Sequence, residues 1–268
     1  MKRSSGVRAA ATVAVSALSL ALVTGCGGGS DDASNASDGQ AAKTETKAAK
    51  ALSAAELKKA IIADGDVEGY KVDASAKQLP KSKDQVKSAD EKCAPIAYAM
   101  GGMAPGDSAS TAAVMVQQDK QKPTDNASKS LEDLTEGEIE DSLTDAMSLD
   151  MTVVGLSSYD GDGAEQTFKS VSDAVEGCAG GFTLTIQGTD QKLTKLTSEK
   201  ASGAGDESVA FAVSSDAEGG DVATTHVEVV RHGATIATYY TMNIGLMISD
   251  KTYSVPAAVI EAQAAKLK

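Results

Sequence analysis

The chain has 268 residues, 38 acidic against 25 basic, giving a formal net charge of −13, with two His and no Trp. An acidic surface repels phosphate backbones and anionic headgroups, so nucleic-acid binding and direct docking of the folded part on a lipid surface are excluded. Two histidines leave little room for general-base chemistry, and at 3% aromatic content any apolar cleft must be lined by Val, Ile, Leu and Met.

Lys2, Arg3 and Arg8 precede an uncharged run over residues 9–23, which has the length of a secretory h-region and is too short to span a bilayer stably. The run ends in Val23-Thr24-Gly25-Cys26, small residues followed at once by Cys, which resembles a bacterial lipobox. The expectation is a signal peptide over residues 1–25, cleavage between Gly25 and Cys26, and a diacylglyceryl group (palmitate in kind) on the Cys26 sulfur. Acylation at this level suffices for lasting attachment, so the mature chain is expected on the outer face of the bacterial cytoplasmic membrane. An ordinary secretory signal with a chance Cys, or a short membrane anchor, are the alternatives. Removing Lys2, Arg3 and Arg8 takes the charge from −13 to −16. No other apolar stretch between residues 27 and 268 is long enough to cross a membrane.

Residues 27–50 are almost all Gly, Ser, Ala, Asp, Asn, Gln, Lys and Thr, a composition that cannot build a core and predicts a flexible tether. A single extracytoplasmic α+β domain is expected over residues 51–268. It opens with a helix in which Ser53 and Glu56 stand at capping-box spacing, Leu57, Ile61 and Ile62 share a face, and Gly65 is the stop. A turn at residues 66–72 enters a strand, and the polar residues 77–87 are a loop. Cys93 falls on a short helix over residues 89–100. Residues 111–118 read as a strand, residues 119–145 as a long acidic excursion or mobile helix, and residues 147–159 as a second strand.

Ala164, Phe168, Val171 and Val175 form the stripe of an amphipathic helix that Gly177 ends. The remainder reads as β over residues 182–187, 193–198, 209–214, 222–231 and 234–244. Its β-branched content and short polar links favour antiparallel pairing, with His232-Gly233 as a hairpin turn. Pro256 opens a closing helix through Lys268 that turns Val259, Ile260, Ala264 and Leu267 inward. The fold class is α+β, an antiparallel sheet packed by N-terminal, central and C-terminal helices.

With Cys26 spent on lipid, Cys93 and Cys178 remain in an oxidising compartment, as one disulfide or as two buried unpaired thiols. Metal ligation by this pair is not expected, because neither has a Cys or His at ligand spacing. His226 lies inside a predicted strand and His232 beside it, and no Gly-x-Ser-x-Gly, Cys–His or His-x-x-x-His arrangement accompanies them. Asp160-Gly161-Asp162-Gly163-Ala164-Glu165 imitates a metal loop, but the chain turns helical too soon for a calcium loop. Asp162 or Gly163 as helix cap, with Glu165 at the positive helix end, is preferred. The acidic run at residues 132–145 reads as a solvated face. Gly101-Gly102-Met103-Ala104-Pro105-Gly106 has no strand before it and no basic residue after it, so it is a connector and not a phosphate loop. Tyr239 and Tyr240 fall on opposite faces of a strand, with Met242 and Met247 nearby, and core packing is preferred over a ligand pocket.

Several motifs stand together: Gly69-Tyr70 after the capped helix, Cys93-Ala94-Pro95, and Cys178 through Phe182 after the amphipathic helix. Gly205-Asp206-Glu207-Ser208, a Val-Val-Arg-x-Gly hairpin (Val229 to Gly233) and a final Ala-Gln-Ala-x-Lys-Leu helix complete them. In this the chain resembles actinobacterial secreted lipoproteins similar to the extracellular sensor domain of mycobacterial receptor serine/threonine kinases. The resemblance covers residues 52–268. It implies an α+β domain with an antiparallel sheet, a disulfide and a cleft for an unknown ligand. The chain departs from the kinase sensors in having material for one disulfide where they have more, and in carrying no kinase domain.

The function expected is therefore that of a lipid-anchored, non-catalytic binding or sensor-type lipoprotein. A carrier of lipid or a small apolar molecule and a scaffolding module at the cell envelope are the alternatives. The expected partners are the membrane, through the anchor, and an unidentified small-molecule, lipid or protein ligand; the expected state is a monomer with no cofactor and no metal.

Overall fold

The computed structural model describes residues 49–119, 147–217, 221–247 and 251–267, together with a few positions between 135 and 144. The segment expected to be a signal peptide, Cys26, most of the segment expected to be a tether and most of the acidic stretch at residues 119–145 lie outside the described residues.

One antiparallel sheet of nine strands organises the domain: β1 (Tyr70–Asp73), β2 (Val86–Ser88), β3 (Ser110–Gln118), β4 (Asp150–Ser158), β5 (Phe182–Ile186), β6 (Thr189–Glu199), β7 (Glu207–Asp216), β8 (Val222–His232) and β9 (Thr235–Asn243). Their spatial order is β1-β3-β4-β9-β8-β7-β6-β5-β2. Helices α2 (Ala94–Met100) and α3 (Gly163–Gly177) pack on one face, against Phe211, Val213, Val227, Val229 and Ile236. Helices α1 (Ala54–Ala60) and α4 (Ala257–Lys266) pack on the other, against Val114, Val116, Val154, Leu156, Val230 and Tyr239. The fold is α+β with an antiparallel sheet, as the sequence indicates. Because both faces are covered at its centre, β4 is buried almost continuously where a one-sided strand would alternate.

Local chemistry accounts for the ends of the elements. Ser53 and Glu56 form the capping box in full, with Ser53 N–H donating to Glu56 Oε2 at 2.8 Å and Glu56 N–H to Ser53 Oγ at 3.3 Å. Helix α1 ends at Ala60 and not at Gly65; Ile61 is already extended, so Ile61 and Ile62 reach the core from beyond the helix. The reason lies in Gln263 of α4, fully buried, whose Oε1 accepts from Ile62 N–H at 3.0 Å and whose Nε2 donates to Ala60 O at 2.8 Å. It supplies the partners that another turn of helix would have used. Pro256 precedes α4, whose Val259 and Ile260 are buried, and the helix stops at Lys266.

Three further expectations are corrected. The loop expected over residues 77–87 contains β2, which closes the far edge of the sheet on β5. Cys93 ends a 3-10 turn, Glu91–Cys93, with α2 starting after it. The strand expected over residues 193–198 begins at Thr189, because Gln187 and Gly188, with φ of +51° and +84°, make a two-residue turn that lets β6 pair with β5 at once. The β8–β9 link is equally tight: His232 pairs with Thr235, and the turn itself is Gly233-Ala234.

Candidate functional site

Cys93 and Cys178 are bonded, with Cα atoms 6.0 Å apart and a sequence separation of 85. Cys93 leads into α2 and Cys178 follows the last turn of α3, so the bond ties the two helices that cover one face of the sheet.

His226, on β8, sets its Nδ1 2.9 Å from Glu199 Oε2, and its ring meets that of Tyr253 edge to face at 4.4 Å. The Tyr253 hydroxyl donates to Thr224 O. No hydroxyl or thiol nucleophile bonds to the imidazole among the described residues, and the trio fastens the segment leading to α4 onto β8. Two positions along the same strand, buried Glu228 accepts from the N–H (2.9 Å) and the hydroxyl of Ser202, fixing the β6–β7 connection. Tyr239 lies opposite Glu228 across the strand pair; its hydroxyl is buried without a partner, and burial, with the Glu228 charge second, pushes its pKa far up. Burial also lowers the pKa of His232, with Asp206 opposing.

The acidic loop before α3 is a fastening. Asp160 Oδ1 accepts from Ala51 N–H at 3.0 Å, and Gly161 N–H donates to Ala49 O at 2.8 Å, which holds the entry of the chain into the domain. Asp162 is the N-cap residue of α3, as expected, but its side chain makes no bond to the helix N–H groups; its Oδ2 accepts instead from Gln166 Nε2 at 2.7 Å. No cluster of three His, Cys, Asp or Glu side chains that could hold a metal forms among the described residues.

The connector at residues 101–106, which sequence motifs leave without a task, proves to be the wall of a cleft. The cleft, of about 320 Å³, lies between Pro80, Lys81 and Lys83 on one side and the connector and Asp107-Ser108 on the other, with Thr111, Ala112 and Ala113 of β3 as its floor. This is within the size range of small-ligand sites.

Each part is held in place. Gly102 has φ of +67°, and its backbone lies directly on Gly155 of β4: a Cβ at Gly155 would stand 2.8 Å from Gly102 O. Gly106 packs as closely on α3, where a Cβ would meet Thr167 Oγ1 at 2.4 Å. Beneath it Tyr159 is buried, its hydroxyl 3.0 Å from Ser157 Oγ; burial raises its pKa, partly offset by its bonds to Ser157 and Gly106. Lys83 spans the cleft, its Nζ donating to Gly106 O at 2.8 Å, 3.7 Å from Asp107 Oδ1 and 4.6 Å above the Tyr98 ring. That lysine is a strut between the two walls. Lys81 makes no ion pair among the described residues and is exposed at the mouth.

The sequence signal for this site was the cluster Gly-Gly-x-Ala-Pro-Gly followed by the small pair Ala112-Ala113. It is legible only once β3 is known to lie near the sheet edge.

No protein-family model matches the chain, and no curated protein does. Among solved structures it is similar to the extracellular domain of PknH from Mycobacterium tuberculosis, at 10% identity and a TM-score of 0.44, with 81% of this chain and 95% of that one covered.

Proposed function

We propose that the chain is a lipid-anchored, extracytoplasmic binding protein of the sensor type, without catalytic activity of its own, and that its ligand occupies the cleft between residues 80–83 and 102–108. The observation that carries this reading is the cleft: its walls are braced by the Lys83 strut and by the Gly102–Gly155 contact, so its shape exists before any ligand arrives. Cys26 after its apolar leader supports the anchor, and the Cys93–Cys178 bond suits an oxidising compartment. An open cleft lined by Lys81, Lys83, Asp107, Ser108 and Thr111 as well as by apolar residues favours recognition over the carriage of a lipid, which needs a deep apolar cavity.

Two measurements test the reading. Full-length protein expressed in its host carries palmitate label and sediments with membranes, whereas Cys26→Ser loses the label; retention of label by the variant contradicts the anchor. For the ligand, native mass spectra are taken of the protein purified from host membranes. Wild type carries an added mass that Thr111→Trp, which fills the cleft from an exposed position, does not. A bare mass for both proteins contradicts the binding role.

A further inference from the structure

β3 is nine residues long and pairs with β4 from Ser110 to Gln117, but on its other side β1 covers only Met115–Gln118. β1 stops at Asp73, whose carboxylate accepts from Ser75 N–H at 2.8 Å, and Ala76 follows with φ of +43°. Beyond that turn, the β1 side of residues 110–114 has no strand beside it among the described residues.

Alternation identifies which backbone groups are left over. Asp119 N–H donates to Gly69 O at 2.7 Å across the β1 side, so the odd-numbered residues of β3 point their N–H and C=O that way. On β4, Tyr159 N–H donates to Ala234 O on the β9 side, so the even-numbered residues of β4 turn toward β3, where their register partners are the even-numbered residues of β3, in agreement with this. Thr111 and Ala113 therefore present two N–H donors and two C=O acceptors outward, at the spacing of a strand.

What they face is the cleft. Thr111, Ala112 and Ala113 all line it, although their side chains alternate between the two faces of the sheet; three consecutive residues share one cavity only if it lies along the strand edge. Edges left open in this way usually carry a Lys, a Pro or a bulge that repels a partner strand. Residues 110–114 are Ser-Thr-Ala-Ala-Val and carry none of these, and their small side chains allow another backbone to approach. Charge adds a preference. Lys81 and Lys83 line the cleft against the single acid Asp107, and Lys83 is already held by Gly106 O and Asp107, which leaves the exposed Lys81 to meet a carboxylate.

We propose that the free edge at Thr111–Ala113 is the recognition element of the cleft and that its ligand is an extended acidic peptide, added beside β3 as a further strand with a carboxylate toward Lys81. This rests on the reading that the cleft is the binding site and names the class of its ligand. The mode is strand addition, in which main-chain hydrogen bonds supply affinity and the neighbouring side chains supply selectivity.

The test uses the full mature chain and blocked hexapeptides of alternating Val and Thr, with Glu placed at each position in turn, and a matching set with Lys. Fluorescence anisotropy is expected to show at least one Glu peptide binding below about 1 mM, with its Lys counterpart weaker by about tenfold or more. N-methylation walked along that peptide abolishes binding at every second residue and spares those between. Thr111→Pro, which removes an outward N–H and no ladder bond, weakens binding by about tenfold with an unchanged melting temperature. Lys81→Glu, a surface change, reverses the preference between the Glu and Lys sets.

Equal binding of both sets, N-methyl effects without alternation, or no Glu peptide bound at about 1 mM overturns the proposal. So does a peptide-free dimer that Thr111→Pro dissociates, because the edge then belongs to a second copy of the chain. If no peptide binds while host-purified protein still carries a mass that Thr111→Trp excludes, the peptide inference falls and the binding role stands. If that mass is missing as well, both fall.

Discussion

Gly155 lies directly under Gly102: a Cβ at Gly155 would stand 2.8 Å from Gly102 O and 2.7 Å from Thr238 Oγ1. The connector that walls the cleft can rest on β4 only because β4 has no side chain there. Gly155→Ala is therefore expected to lift the connector. It should cost about 1–3 kcal/mol, as for other insertions into a well-packed site, and weaken ligand binding beyond the loss of stability. Chemical denaturation and binding on the same variant measure both.

The Cys93–Cys178 bond closes a loop of 85 residues, for which the chain-entropy model gives about 4–5 kcal/mol of stabilisation. Replacing both cysteines by Ala is expected to lower the denaturation midpoint by a corresponding amount while retaining α+β circular dichroism. A midpoint unchanged from wild type would mean that the helices α2 and α3 hold together without the bond.

Glu228 is buried on β8 and spends its carboxylate on Ser202. Glu228→Ala leaves the Ser202 N–H without a partner and should cost about 2–4 kcal/mol, whereas Ser202→Ala, which keeps the N–H bond, should cost about 1 kcal/mol. A smaller loss for Glu228→Ala than for Ser202→Ala would contradict this account of the β6–β7 connection.

Burial raises the pKa of Asp150 above the ordinary carboxylate range, with the Asn243 hydrogen bond opposing. A carboxyl group whose pKa is higher in the folded state favours folding while protonated. That contribution is full below the unfolded-state pKa and is lost as pH rises through the raised value. Asp150→Asn keeps an acceptor for Asn243 and carries no charge, so it is expected to raise the melting temperature at pH 7 and to leave it nearly unchanged at pH 3. Equal effects at the two pH values would contradict the assignment.

Much of this architecture is legible in the sequence because the signals are local. The Ser53/Glu56 capping box, the Ala164-Phe168-Val171-Val175 stripe and the β-branched late strands with their short polar links each fix an element from within a few residues. What escaped depends on distant partners. Helix α1 stops at Ala60 because Gln263, two hundred residues away, takes its last groups, and a lone Gln on a terminal helix announces nothing of the kind. β2 is three residues long and exists only through β5. The candidate site was the least legible part. The connector at residues 101–106 has no chemistry-bearing side chain, and its role arises from a strand order in which β3 is covered on its outer side by a strand less than half its length.

Amide hydrogen exchange along β3 in the chain from residue 26 onward tests the account most directly. Ala112 and Val114 point their N–H groups toward β4 and Thr111 and Ala113 toward the cleft. The prediction is slow exchange at the first pair, fast exchange at the second, and slowing of Thr111 and Ala113 alone when the Glu hexapeptide that binds is added. Thr111 and Ala113 already protected to the level of Ala112 in the unliganded chain would mean that the edge is occupied, and would contradict the claim that the cleft is open for a ligand.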